Sequence, residues 1–297
     1  MTQTRRSVLA AMAAGLAAAP ASARAKPGPA TDFGGEALRQ AVRAAEADAG
    51  GRLGVAVLDT AGGARFAWRG DERFAMCSTF KLLMVAAVLA RVEAGHERLD
   101  RRIVLTRVDP TGFAPVTETR VGPPGMTIGE LCEAAIIWSD NGAANVLFPT
   151  VGGPPGLTRY ARALGDPATR MDRTEPTLND AVRGDPRDTT TPKAMLADLN
   201  RLVLGDGLAS ASRQRLTGWM TDCRTGVHRL RAGLPPGWRI GHKTGTGDHG
   251  STNDIAILWP PGRAPLLVTA YLTDTQAPTD RCEAALAAVA RAVAAAV

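Results

Sequence analysis

Lysine is scarce in this sequence, which makes each lysine informative. Only four of the 35 basic residues are lysines, at positions 26, 81, 193 and 243. Arginine stays protonated in proteins, so a site that needs a titratable amine must keep a lysine. Each of the four is therefore a candidate for chemistry.

The sequence also lacks the common signatures of metal sites and esterases. It has no C-x-x-C or H-E-x-x-H pattern, so we expect no metal and no cofactor. It has no G-x-S-x-G pattern, which disfavours a Ser-His-Asp esterase, and the four histidines have no evident triad role. The four cysteines, Cys77, Cys132, Cys223 and Cys282, allow three full disulfide connectivities, and the sequence does not choose among them.

The first 25 residues have the composition of an export signal. Two arginines at 5 and 6 precede an apolar run over residues 8–19 and a small-residue cleavage pattern at 23–25. The run is too short to cross a membrane. Residues 4–9 resemble a twin-arginine signal, and an ordinary Sec signal that holds two arginines is the alternative. We expect a periplasmic or secreted bacterial protein with no membrane attachment after signal removal.

Without that segment the charge is nearly balanced. The segment contains three arginines and no acidic residue, so residues 26–297 hold 32 basic and 29 acidic residues. The resulting net charge of +3 gives no argument for a nucleic-acid partner, which usually requires a basic patch.

Hydrophobic periodicity predicts a helical middle that is flanked by strands, with a further helix at each end. The helical patterns cover residues 36–49, 78–93, 127–138, 157–164, 192–204, 210–221 and 284–297. The strand patterns cover residues 53–58, 64–68, 238–241, 254–259 and 266–272, and the first two form a hairpin. This order predicts an α/β (α+β) fold, with a helical domain inserted into a sheet built from both chain ends.

The domain boundaries follow from the same patterns. We expect residues 26–69 and 221–297 to form a discontinuous α/β sheet domain and residues 70–220 to form the helical domain. Within the helical domain, residues 170–188 have weak periodicity and are predicted to be a long loop. Loops of this length inside a compact domain are often functional.

A serine and a lysine are paired in the pattern Ser78-Thr79-Phe80-Lys81. A spacing of three places both side chains on one helix face, and a serine at a helix start meets free backbone N–H groups. A neutral lysine amine can activate such a serine. A cap serine beside a surface lysine is the alternative, but Lys81 opens a wholly apolar helix, an unusual place for a solvated lysine.

Three further patterns offer polar groups to a ligand. The S-D-N pattern at 139–141 supplies a hydroxyl and an amide, or forms a helix C-cap and turn. The K-T-G-T pattern at 243–246 supplies a cation and two hydroxyls that suit a carboxylate, or ends a strand. Glu175 and Asn179 are four residues apart in the long loop and can hold one water molecule between them if the segment forms a helical turn. Taken alone, this segment favours the alternative of a surface turn.

In combination and in this order, the patterns resemble those of the class A serine β-lactamases, over nearly the whole sequence from Leu53 onwards. The resemblance implies that a β-lactam acylates Ser78 with help from Lys81. It implies that Ser139 passes a proton to the leaving nitrogen and that Glu175 activates the water that frees the enzyme. Whether Lys81 or Glu175 takes the proton during acylation stays open. The implied sheet has five mostly antiparallel strands, with the active site at the domain interface of a monomer.

The resemblance also implies residues that bind substrate or support the site. The N–H groups of Ser78 and Thr246 would form the oxyanion hole. Arg173 and Asp188 would close the loop as an ion pair, and the Glu175–Pro176 peptide would be cis. The substrate-binding positions are Asn141, Asn179, Lys243, Thr244, Gly245, Thr246, Arg229 and Phe113.

The sequence departs from its relatives at several positions. Val85 and Gly247 stand where some members carry the second cysteine of a bridge to Cys132 or to Cys77, so neither bridge can form. Thr252 stands where some members carry an arginine, and Arg229 is an alternative source of that charge; a solvated arginine is the other interpretation.

Two alternatives to a β-lactamase share the serine–lysine, S-D-N and K-T-G patterns. A penicillin-binding D,D-peptidase and a β-lactam sensor domain both acylate on serine, but each should lack the loop that contains Glu175. A sensor would also normally adjoin membrane helices, and none is visible in the sequence. The substrate spectrum stays open.

Overall fold

The computed structural model describes residues 32–297. The predicted export signal, residues 1–25, lies outside these residues. The α-helices of the described chain are α1 (Gly35–Ala49), α2 (Phe80–Glu93), α3 (Ile128–Ile137), α4 (Asn141–Val151), α5 (Gly153–Ala163), α6 (Pro192–Val203), α7 (Ser210–Thr221) and α8 (Thr279–Ala295). The strands are β1 (Arg52–Asp59), β2 (Arg65–Trp68), β3 (Phe74–Ala75), β4 (Arg102–Leu105), β5 (Gly122–Thr127), β6 (Thr189–Thr190), β7 (Arg239–Thr246), β8 (Thr252–Trp259) and β9 (Leu266–Thr273).

The main sheet combines strands from both ends of the chain, as predicted. Its order is β2-β1-β9-β8-β7, and every neighbouring pair is antiparallel. The predicted hairpin is present, with Val55 opposite Trp68 and Leu58 opposite Arg65. Because β7 ends the sheet, one of its edges has no strand neighbour among residues 32–297.

Each face of the sheet is covered by a hydrophobic core. On one face, buried residues of α1 and α8, such as Val42 and Leu286, pack on inward residues of the strands, such as Val55. The other face belongs to a second core that includes α2 and the helices around it. Residues Phe80 to Leu89 of α2 are all buried, which explains why this helix is apolar on every side.

Several observed helices and strands differ from those that the hydrophobic periodicity predicts. Helix α4 was not predicted. The S-D-N pattern ends α3, since the Asp140 N–H donates to the Ala134 carbonyl at 3.2 Å, and it also begins α4, since Asp140 Oδ1 accepts from Ala143 N at 2.8 Å. The K-T-G-T residues end a strand, as expected, but this strand, β7, continues to Thr246 instead of stopping at residue 241, and α8 begins five residues before its predicted start, at Thr279. The capping box at Thr127 and Glu130 is present at the start of α3.

None of the helices in the described part of the chain has the length and hydrophobicity needed to cross a bilayer. The division into a discontinuous sheet domain and an inserted helical domain stays a prediction.

Candidate active site

The candidate nucleophile lies on a short 3₁₀ turn, Cys77–Thr79, that runs directly into α2. The backbone is strained at Cys77, whose φ of 44° lies in the left-handed region. The side-chain amide of Asn253 on β8 donates to the Met76 carbonyl at 3.1 Å and ties the turn to the sheet. Ser78 is therefore presented at a fixed point, with 8% of its surface exposed.

Lys81 is fully buried one helical turn after the serine. Its Nζ donates to Ser78 Oγ at 2.9 Å and lies 3.0 Å from Glu175 Oε1. It also donates to the Ser139 carbonyl at 2.8 Å and to Asn141 Oδ1 at 2.6 Å. Burial lowers the pKa of Lys81, and the charge of Glu175 opposes this shift. The lowered pKa increases the share of neutral amine, the form that can accept a proton.

Glu175 is held from two sides by asparagines. Asn179 Nδ2 donates to Glu175 Oε2 at 2.6 Å. Asn145 on α4 accepts from the Glu175 backbone N–H at 3.0 Å and donates to its carbonyl at 2.9 Å. The Glu175–Pro176 peptide is cis. The Glu175 side chain is fully buried, and its Oε1 accepts from Ser78 Oγ at 3.4 Å, so the carboxylate directly contacts the candidate nucleophile.

Ser139 connects the helical segments to the sheet. Lys243 Nζ donates to Ser139 Oγ at 2.8 Å and to the Thr244 carbonyl at 2.8 Å. Asp140, the next residue, fixes the serine by capping α4. Burial and then the charge of Lys81 lower the pKa of Lys243 to about 7. Ser139 thus contacts two buried amines, Lys243 through its hydroxyl and Lys81 through its backbone carbonyl.

The outer edge of β7 approaches the nucleophile turn very closely. A Cβ added at Gly245 would lie 2.7 Å from the Met76 carbonyl oxygen and 3.2 Å from Ser78 N, so glycine is needed there. The next residue, Thr246, accepts through Oγ1 from Arg229 Nη2 at 2.7 Å. The edge strand therefore brings its backbone close to the serine.

Arg229 is buried rather than solvated, with 5% of its surface exposed. Its Nη1 donates to the carbonyls of Gly245 at 2.8 Å and Asn253 at 3.0 Å. Its Nε donates to Glu283 at 3.1 Å. The guanidinium is therefore held against β7 and β8, and it directs one N–H group to Thr246.

These groups surround a cleft of about 270 Å³. Phe113 stands at its rim and is 57% exposed. The buried Lys81, Glu175 and Lys243 lie beneath the lining residues. The cleft is lined by Ser78, Phe113, Ser139, Asn141, Asn179, Thr225, Arg229, Thr244, Gly245 and Thr246.

Comparisons with known proteins assign a family to this geometry. A family model described as "Beta-lactamase enzyme family" matches residues 37–297. Beta-lactamase L2 of Stenotrophomonas maltophilia is 51% identical over 265 residues, which cover 89% of this chain and 84% of that protein. Beta-lactamase CTX-M-8 of Citrobacter amalonaticus is 46% identical over 256 residues, 86% of this chain and 88% of that protein. The chain belongs to the class A β-lactamases.

Solved structures of class A β-lactamases have the same fold. An ancestral enzyme, described as the GNCA β-lactamase, is 59% identical with a TM-score of 0.86, covering 88% of this chain and all of that one (100%). The PenP protein of Rhodopseudomonas palustris is 54% identical with a TM-score of 0.86, over 88% of this chain and 100% of its own.

The loop of this β-lactamase that contains Glu175 is closed at its base by the predicted ion pair. Asp188 is fully buried, and its Oδ2 accepts from Arg173 Nε at 2.6 Å. Its Oδ1 accepts from the backbone N–H groups of Asp172 at 2.8 Å and Arg173 at 2.9 Å. One carboxylate thus joins the two ends of the loop.

We expect Asp188→Ala to lower the free energy of unfolding by about 3 kcal/mol, because it leaves Nε of Arg173 and two backbone N–H groups without their acceptor, while Arg173 keeps its pair with Asp180 at 2.7 Å. Urea denaturation measures the change. Asp71→Ala is the matched control: its pair with Lys193 is 2.6 Å long but exposed, so we expect a loss below about 1 kcal/mol. Equal effects of the two substitutions would contradict this role of Asp188.

The sequence analysis missed three residues that support the site. Asn145 grips the backbone of Glu175, and Asn253 holds the nucleophile turn. Thr225 lines the cleft, and its Oγ1 lies 2.6 Å from Thr244 Oγ1. Of these three residues, only Asn145 could have been found from the sequence, because it follows Asn141 by four residues and so lies on the same face of the helix.

All four cysteines of this β-lactamase are free and buried. This agrees with the absence of second cysteines at Val85 and Gly247. A Cβ at Gly247 would lie 2.6 Å from Cys77 Sγ. The fold therefore depends on packing and hydrogen bonds rather than on disulfides.

Proposed function

We propose that this β-lactamase opens the cyclic amide of β-lactams through an acyl-enzyme on Ser78, and that Glu175 then activates the water that hydrolyses the ester. The observation that carries the proposal is the contact of one hydroxyl with both a buried amine and a buried carboxylate. Ser78 Oγ lies 2.9 Å from Lys81 Nζ and 3.4 Å from Glu175 Oε1. Such an activated hydroxyl suits nucleophilic catalysis.

Acylation begins with removal of the Ser78 proton. Lys81 and Glu175 both contact the hydroxyl and each other, so either can receive the proton directly or through the other. The oxygen then attacks the β-lactam carbonyl, and the developing oxyanion accepts from the N–H groups of Ser78 and Thr246. The close approach of β7 at Gly245 supports this pair of donors.

The leaving nitrogen needs a proton as the ring opens. Ser139 is suited to supply it, because its hydroxyl is free to donate while accepting from Lys243 Nζ at 2.8 Å. Lys81 donates to the carbonyl of the same residue at 2.8 Å, so the amine that contacts Ser78 also lies near Ser139. The amide of Asn141, at the cleft wall, suits the substrate's side-chain amide.

Deacylation requires a water held by Glu175 and Asn179. Asn179 Nδ2 donates to Glu175 Oε2 at 2.6 Å, which leaves its carbonyl oxygen as an acceptor. That oxygen is buried and has no hydrogen-bond partner among residues 32–297. A buried acceptor without a partner is costly, and a water that donates to it and to the carboxylate removes the cost.

The ring carboxylate of the substrate is assigned to the end of the cleft at Lys243, Thr244 and Thr246. The two hydroxyls line the cleft, and Lys243 supplies positive charge from beneath. Arg229 adds charge through its contact with Thr246. A carboxylate there meets both hydrogen-bond donors and cations.

The pKa of Lys243 predicts a pH dependence. An amine with a pKa of about 7 loses its charge as the pH rises through that value, so its attraction for the substrate carboxylate is present below pH 7 and fades above it. We expect kcat/KM to fall several-fold across this range. Lys243→Arg keeps the charge at every pH and should remove this alkaline decrease. A decrease of the same size in both proteins would assign it to another group.

Steady turnover tests the whole proposal. We expect the purified protein to hydrolyse a chromogenic cephalosporin over many cycles, in proportion to time. A single burst equal to the enzyme concentration would instead favour a D,D-peptidase or a β-lactam sensor domain. A panel of penicillins, cephalosporins and a carbapenem, each with and without clavulanate, would then define the spectrum.

Hydrolysis of β-lactams would give a bacterial host resistance to these antibiotics. We assign the protein to the periplasm or the exterior of a bacterium, exported by the twin-arginine or Sec route. The basis is the arginine pair, apolar run and cleavage pattern of residues 1–25. We also assign it as a monomer that acts on small molecules and has no nucleic-acid partner, in keeping with its balanced charge.

A further inference from the structure

Two hydroxyls of the cleft accept hydrogen bonds from basic side chains. Ser139 Oγ accepts from Lys243 Nζ at 2.8 Å, and Thr246 Oγ1 accepts from Arg229 Nη2 at 2.7 Å. A protonated lysine and an arginine can only donate, so the direction of both hydrogen bonds is fixed. Each hydroxyl therefore keeps its own proton for a ligand in the cleft.

A third hydroxyl of the cleft, that of Thr244, is paired with another threonine instead of a basic side chain. Thr244 Oγ1 lies 2.6 Å from Thr225 Oγ1, and both residues line the cleft. The methyl group of Thr244 packs closely against Gly226, where an added Cβ would overlap it. This packing, in a residue that is almost fully buried, holds the Thr244 hydroxyl in the rotamer that faces Thr225.

The number of protons decides the direction of the hydrogen bond between the two threonines. A hydroxyl has one proton to donate, and a carboxylate can only accept. When Thr244 donates to the ring carboxylate of the substrate, it has no proton left for Thr225. Two oxygens 2.6 Å apart with no proton between them repel each other, so Thr225 must then donate to Thr244. The Thr225 oxygen can accept in turn from the Cys223 thiol, whose Sγ lies 3.3 Å away.

We propose that Thr225 is a positioning residue that directs the proton of Thr244 towards the carboxylate of the substrate. The inference rests on the proposed function, which assigns the carboxylate to this end of the cleft. Thr225 acts on Thr244 as Arg229 acts on Thr246: it donates to the hydroxyl oxygen, so the hydroxyl proton faces the ligand. Hydrogen bonds arranged in such a chain polarise and strengthen one another.

Thr225→Val tests the proposal, because it removes the donor and keeps a side chain of similar shape. We expect kcat/KM for a penicillin to fall about tenfold, almost entirely through KM, since the lost interaction acts on substrate binding. Thr225→Ser keeps the hydroxyl and should have the KM of the unaltered protein. The matched control is Thr221→Val, which changes a half-buried threonine on α7 outside the cleft lining and should leave both constants unchanged.

The methyl ester of the same penicillin distinguishes proton positioning from a structural role. Esterification removes the negative charge, so the direction of the Thr244 proton matters less. We expect Thr225→Val to change kcat/KM for the ester by less than about twofold, because a hydrogen bond to a neutral acceptor contributes less. An equal loss for acid and ester, or the same loss in Thr225→Ser, would overturn the proposal. If Thr225→Val does not fold, Thr225→Ala is the second variant, with the same expected results.

Equilibrium dialysis in Ser78→Ala protein tests the inference without turnover. Adding Thr225→Val to this variant should raise the Kd of the penicillin about tenfold and change the Kd of its methyl ester much less. If the unaltered protein turns over no β-lactam, the proposed function fails, while these Kd values still decide whether Thr225 governs carboxylate binding. Equal Kd values for the penicillin with and without Thr225→Val would overturn the proposal.

Discussion

Glu175→Ala is expected to leave the β-lactam attached to Ser78 as a stable ester. The substitution removes the carboxylate that contacts the nucleophile and Asn179, so the hydrolytic water loses its base. We expect deacylation to slow by roughly 10²–10⁴-fold, the usual contribution of a general base. Intact mass spectrometry after mixing with a penicillin would detect the accumulated adduct.

Two further measurements make the Glu175 test specific. Glu133→Ala changes an exposed glutamate on α3 and should leave turnover unchanged. If Lys81 can activate Ser78 without Glu175, the adduct should form at a rate close to that of the unaltered protein. Unchanged steady-state turnover in Glu175→Ala would remove this residue from the mechanism.

Ser78→Ala is expected to abolish covalent chemistry, with kcat reduced by roughly 10⁴–10⁶-fold, as when other serine hydrolases lose their nucleophile. Lys81, Glu175 and the cleft remain, so the variant should still bind β-lactams without reacting. Stopped-time mass spectrometry should find no adduct, while equilibrium dialysis should detect bound penicillin.

The matched control for Ser78→Ala is Ser212→Ala, since both serines are 8% exposed and Ser212 lies on α7, outside the cleft lining. We expect full activity in this control. A covalent adduct that persists in Ser78→Ala would place the nucleophile elsewhere, with the adjacent Cys77 as the first candidate.

Local patterns predicted the elements that depend on short-range rules. Alternating and apolar runs predicted the strands of the sheet, and the capping box predicted the start of α3. Helix α4 escaped prediction because the S-D-N pattern is typical of a helix end, whereas here it both ends α3 and begins α4. The Asp140 carboxylate that caps α4 is oriented by hydrogen bonds from the N–H groups of Val116 and Thr117, two residues far away in the loop before β5.

The residues of the site also divide into those that local patterns predicted and those that only contacts between distant segments revealed. The motif residues Ser78, Ser139 and Lys243 could be chosen from the sequence because their spacing and order are distinctive. Asn253 and Thr225 could not be chosen, since their roles come from contacts with Met76 and Thr244 that cross between distant segments. His242 had no evident role in the sequence, and its contact with Asp254 became visible only in the fold.

The sequence by itself determined the residue types that do the chemistry, their order along the chain and the family they resemble. The tertiary structure decided how they meet: Lys81 and Glu175 lie 94 positions apart but 3.0 Å from each other, both out of water. Their pKa values and contacts depend on burial and on neighbouring charges, which are set by packing between segments. Sequence spacing cannot supply these quantities, because the energy of a charge depends on everything that surrounds it in space.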